Sequence, residues 1–123
     1  AAIIATGEMV GVAMEASELL KKHEIDCYVI NMHTLKPIDI EIVNKLSREC
    51  KTIVTIEEHS VIGGLGSAVS SIISQNPKNK ARLKIMGFED VFCKEYSSDK
   101  SFILKKYGLS AIDIVKNIRE LYS

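Results

Sequence analysis

Apolar residues change their period along this chain, and each change marks an element. Ala2 to Ala5 is a short, continuously apolar run, the mark of a strand buried on both faces. Gly7 follows it as a turn residue, after which Met9, Val12, Ala13, Ala16, Leu19 and Leu20 recur at helical spacing. Glu15, Glu18, Lys21 and Lys22 occupy the other faces, so an amphipathic helix is predicted over about 8 to 23. Cys27 to Ile30 predicts a second strand. In the connector His33 to Pro37, the proline pushes Lys36 to an extended conformation. Asp39 is placed to cap a helix whose apolar stripe is Ile40, Val43 and Leu46.

Lys51 to Ile56 returns to strand, rich in β-branched residues. A third helix carries Val69, Ile72 and Ile73 and is broken at Asn76-Pro-Lys-Asn79. Arg82 to Met86 alternates its chemistry as a more peripheral strand does, and Gly87 ends it. Ser101 to Lys106 reads as a short helix stopped at Gly108. Ser110 with Asp113 forms a capping pattern ahead of a last helix bearing Ile114, Val115, Ile118 and Leu121. Strands alternating with helices imply right-handed crossovers, and hence a mostly parallel sheet with helices on both faces, a three-layer α/β/α arrangement. No repeat or linker interrupts the 123 residues, which read as one domain.

Sixteen basic and sixteen acidic residues cancel, so no overall field favours nucleic acid or anionic lipid. No apolar run approaches the length of about 20 residues a membrane span requires, and the expectation is a soluble, cytoplasmic protein. Cys27, Cys50 and Cys93 are odd in number and lack a CxxC pair, which suits small buried hydrophobes in a reducing compartment better than a disulfide framework or a zinc site.

In an open parallel sheet ligands gather beyond the carboxyl ends of the strands. Here those ends are Thr6 to Met9, Asn31 to Thr34, Glu57 to His59 and Gly87 to Asp90. Gly63, Gly64 and Gly66 lead into a helix whose free N–H groups could hold a phosphate or carboxylate. Their spacing matches neither the dinucleotide fingerprint nor the phosphate loop, and turn geometry with close helix-to-sheet contact accounts for them as well. Glu57, Glu58 and His59 are consecutive in an extended segment and point to alternating sides, so they do not converge without partners from elsewhere. His23, near a helix C-terminus, and His33, in a connector, lack ligand spacing. Glu89-Asp90 near Cys93 has no neighbouring base to activate the thiol. Glu58, His59, Gly63, Gly64 and Gly66 are therefore the candidates for an interface or an anion contact, with no catalytic, cofactor-binding or metal-binding residue assigned.

Five segments in order carry a resemblance: the Ile3-Ile-Ala-Thr-Gly7 opening, Val29 to Asp39, Thr55 to Val69 around Glu-Glu-His-Ser-Val-Ile-Gly-Gly-Leu-Gly, Gly87 to Phe92, and Lys106 to Ser110. Together they resemble the C-terminal domain of transketolase. The resemblance implies a thiamine-diphosphate- and Mg-dependent enzyme that moves two-carbon ketol units between sugar phosphates. The cofactor would lie between two other domains of a homodimer, and this domain would support assembly. It also implies a family sheet of five strands, the first antiparallel and missing here. Four parallel strands would remain in the order 2-1-3-4, with strand 2 as a bare edge. Neither the Gly-Asp-Gly diphosphate motif nor the pyrimidine-activating glutamate of such enzymes is present, so the isolated domain is expected to be inactive without N-terminal thiamine-diphosphate-binding domains, in the same chain or a separate subunit. Related readings are deoxyxylulose-phosphate synthase and the beta subunit of a 2-oxoacid dehydrogenase. Those usually show Glu-Gly where this chain has Glu58-His59, and the Tyr107-Gly-Leu-Ser110 segment also leans towards transketolase. A reading of another class is a stand-alone nucleotide- or phosphate-binding regulatory module.

Overall fold

The computed structural model describes residues 1–7, 9–32, 39–60, 64–88 and 108–122, with the side chains of 58–60 and 88 outside that description. Its elements are β1 (Ala2–Ala5), α1 (Met9–Lys21), β2 (Tyr28–Asn31), α2 (Ile40–Glu49), β3 (Thr52–Ser60), α3 (Leu65–Ser74), β4 (Arg82–Phe88) and α4 (Ala111–Tyr122). The strands form one sheet in the order β2-β1-β3-β4, every neighbouring pair parallel. This is the predicted α/β class and strand order. The short helix expected over 101 to 106 and the connector 33–38 lie outside the described residues.

Both faces of the sheet are covered, which is why β1 shows no alternation: Ala2, Ile3, Ile4 and Ala5 are all fully buried. On one face Ile3, Ala5, Val54, Ile56 and Met86 pack with Met9, Ala13, Ala16 and Leu20 of α1 and Ile114 and Ile118 of α4. On the other, Ala2, Ile4 and Ile53 pack with Val43 and Leu46 of α2 and Leu65, Val69 and Ile73 of α3. Each large aliphatic side chain moved from water into these layers contributes about 1.5–3 kcal/mol before chain entropy is set against it. Among the described residues β4 has one neighbour, β3, and it keeps Arg82 and Lys84 exposed. Its alternating chemistry was the sequence mark of that outer position.

Helix ends follow local chemistry. Asp39 Oδ1 accepts the Ile42 N–H at 3.1 Å and starts α2. Ser110 and Asp113 form a reciprocal box at α4: the Asp113 N–H donates to Ser110 Oγ at 3.3 Å and the Ser110 N–H to Asp113 Oδ2 at 3.1 Å. At the end of α1, Ile25 N–H donates to Leu20 O at 3.1 Å and Glu24 N–H to Lys21 O at 3.0 Å, the paired bonds of a Schellman closure. That closure places Glu24 in the left-handed region, with φ +59°. The Lys51 ammonium lies 5.4 Å from the centre of the Tyr122 ring, tying the end of α4 to the start of β3.

Two boundaries differ from the sequence pattern. β3 was expected to end at Ile56, where the apolar run stops, yet its ladder with β4 continues to Ser60. Backbone pairing needs no apolar side chain, so it outlasts the apolar run. Gly87, expected to end β4, instead pairs with Glu57. Beyond that pair the register jumps, with Ser60 opposite Phe88, so the segment holding Glu58 and His59 is a bulge in β3.

Candidate functional site

The carboxyl ends of the strands are the place to look, and the described groups there are Thr6, Gly7, Met32, Glu57 and Gly87. Gly7, at φ +57°, turns β1 into α1. Met9 N–H donates to Thr6 O at 3.1 Å and Val10 N–H to Gly7 O at 3.3 Å, so the first turn of α1 closes on its own backbone. Met32 N–H reaches Ala5 O at 2.8 Å and extends the β1–β2 ladder.

Glu57 is the acidic side chain of this edge that the structure describes, and it is only 3% exposed. Its Oε2 accepts the Gly66 N–H at 3.0 Å, in a fully buried hydrogen bond. Gly64 is the N-cap of α3, with extended backbone and no side chain to offer, so the second residue of the helix takes its acceptor from β3 instead. The start of a helix carries partial positive charge and unpaired donors, and here a carboxyl group of the same chain occupies it. The Gly66 donor that an external anion would need is thus already engaged.

Gly66 has a second reason to lack a side chain. A Cβ placed on it would fall within the van der Waals envelope of the Ile85 γ carbons on β4. Ile85 is β-branched and stiff at its first torsion, so close seating of α3 on the sheet depends on this glycine. Of the candidates read from the sequence, Gly64 and Gly66 thus meet at the helix start with Glu57. Glu58 and His59 lie on the bulged backbone just beyond Glu57, and Gly63 is outside the described residues. The sequence reading missed the Glu57–Gly66 bond. Its only sequence signal was an acidic residue at a strand end shortly before a helix start with no capping side chain.

Among the described residues no three His, Cys, Asp or Glu side chains gather as metal ligands, and no described helix is long and apolar enough to cross a membrane. Burial pushes the Cys27 thiol up to about 11, and also raises that of Cys50. Both therefore stay protonated near neutrality and act as small apolar groups rather than nucleophiles. Cys93 lies outside the described residues.

The described residues thus define a parallel α/β layer with helices on both faces, in which a strand-end glutamate caps the start of α3. Residues 1–114 match the family model described as transketolase, C-terminal domain, and the chain belongs to that family. It is 47% identical over 118 residues to a putative transketolase C-terminal section from Methanocaldococcus jannaschii, covering 96% of this chain and 35% of that protein. A 1-deoxy-D-xylulose-5-phosphate synthase from Chlorobium luteolum is 38% identical over 120 residues, 98% of this chain and 18% of that enzyme. A solved chain described as a split-gene transketolase, inactive beta4 tetramer, superposes with a TM-score of 0.84 at 39% identity, covering 98% of this chain and 38% of that one. The chain thus spans about a third of the transketolase relatives and about a fifth of the synthase.

Proposed function

We propose that residues 1–123 work as a single assembly domain of a transketolase. The enzyme would transfer two-carbon ketol units between sugar phosphates in the cytoplasm, as in the pentose phosphate pathway, while this domain is inactive alone. The observation that carries this reading is the combination of 47% identity to a transketolase C-terminal section with a carboxyl edge whose buried acid is spent on α3. Thiamine diphosphate and Mg would be held by N-terminal domains, in the same chain or a separate subunit, within a homodimer of the complete enzyme. The described residues do not fit that cofactor. Its diphosphate and metal call for clustered oxygen donors, whereas the one buried carboxyl at this edge already accepts a backbone N–H. Glu58 and His59 on the bulge beyond Glu57, Gly64 at the start of α3 and, by its place in the sequence, Gly63 are the candidates for contact with those domains.

The decisive experiment mixes this chain with the matching thiamine-diphosphate-binding polypeptide, thiamine diphosphate and Mg, and follows ketol transfer from a ketose phosphate to an aldose phosphate. Activity in the mixture and none in either part is expected; a mixture that forms a complex but transfers nothing overturns the assignment. The synthase relatives at 38% and 39% identity favour one second reading. Formation of 1-deoxy-D-xylulose 5-phosphate by the same mixture would select it.

A further inference from the structure

The face opposite the sheet, where α1 and α4 lie side by side, carries a feature that assembly through the carboxyl edge does not use. A groove of about 750 Å³ runs between the last turn of α1 and the length of α4. Leu19, Ile112 and Val115 supply its apolar surface, and Lys22, Lys116 and Arg119 are its cations, with Glu120 the single acid. Ile112 is 72% exposed, the most exposed of the large aliphatic and aromatic side chains described. It lies on a helix whose other isoleucines, Ile114 and Ile118, are fully buried. Lys22 and Lys116 are exposed and make no ion pair among the described residues. Arg119 and Glu120 each already have a partner, so Lys22 and Lys116 are the cations the groove presents beside its apolar strip.

We propose that this groove docks an acidic amphipathic helix of a partner protein. Apolar side chains of that helix would lie against Leu19, Ile112 and Val115, with carboxylates reaching Lys22 and Lys116. From Ile112 to Glu120 the lining of α4 extends about 12 Å, the length of roughly two helical turns, which matches a helix laid along the groove with apolar anchors at i, i+3 or i+4 and i+7. Apolar burial supplies affinity, and the flanking charges select the sign of the partner and speed encounter. The proposal is independent of ketol transfer: it concerns the other side of the molecule.

The test is fluorescence anisotropy with the full chain and two labelled synthetic helices of about 14 residues. Both carry leucines at that spacing, one with glutamates and the other with lysines on the flanks. The glutamate peptide is expected to bind at least ten-fold more tightly, with affinity falling as salt is raised. In the Lys22→Glu/Lys116→Glu variant the preference should reverse, and Ile112→Asp should weaken both peptides. All three positions are exposed, so the fold is retained, and circular dichroism checks it. Amide shifts in the unaltered chain provide a readout that needs no variant, expected at Leu19 to His23 and Ile112 to Glu120. Equal binding of the two peptides, shifts confined to other surfaces, or self-association of the chain that Ile112→Asp abolishes would each overturn the proposal.

Discussion

The starts of α2 and α4 and the start of α3 solve one physical problem in two ways. Each helix begins with backbone donors that find no partner within it. α2 and α4 recruit a side chain from within three residues: Asp39 for Ile42, and Ser110 and Asp113 for each other. α3 begins at glycines with nothing to contribute, and Glu57 reaches it from β3, nine residues earlier. A local cap stabilises one helix. The cap from β3 also fixes where α3 sits on the sheet, because bonding and close packing both converge on Gly66. The Gly66 N–H at the start of α3 is therefore bound into the fold.

The sharpest way to break this difference is Gly66→Val. The added carbons collide with a stiff Ile85 and lever α3 off the sheet, at a cost of about 3 kcal/mol, the upper part of the range for overpacked interiors. Urea denaturation measures it. Next in size is Glu57→Ala, which leaves a buried N–H without an acceptor and should cost about 2 kcal/mol, with Glu57→Gln recovering part of the loss. If the two effects share one contact, the double variant loses clearly less than the sum. Full additivity would show that the cap and the packing act separately.

How much of this could be read beforehand follows the same division. The caps at Asp39 and Ser110–Asp113 were legible because donor and acceptor lie three residues apart, within reach of a local pattern. The apolar periods likewise set out the four strands and the helices α1 to α4, since burial of a stripe or a run is written in consecutive residues. The Schellman closure with Glu24 in the left-handed region was not legible, because nothing about a glutamate announces that conformation. Nor was the Glu57 bond, which depends on how β3 and α3 are oriented after the sheet has formed. The end of β3 was misplaced for a related reason: apolar periodicity reports side-chain burial, while the bulged ladder to Ser60 is a backbone property. The groove between α1 and α4 escaped because its cations come from helices at opposite ends of the chain.

The local caps provide the control for the comparison. Asp39→Ala and Ser110→Ala should each cost about 1 kcal/mol, and each loss should add to that of Glu57→Ala, since none of these sites shares a partner with it. A marked departure from additivity would mean that the helix starts are coupled through the core and that the contrast drawn between local and long-range caps is false. Smallest, and opposite in sign, is Glu24→Gly at the end of α1. A side chain held at φ +59° carries a conformational cost that glycine avoids, while glycine's greater freedom in the unfolded chain cancels part of the gain. The net expectation is stabilisation by about 0.5 kcal/mol, read as a small rise in the denaturation midpoint with an unchanged slope. Because this closure is made wholly by backbone bonds to Leu20 and Lys21, the gain should persist in the Glu57→Ala background. Its disappearance there would mean that loosening α3 reaches across the sheet to α1, so that the cap from β3 governs both faces rather than its own.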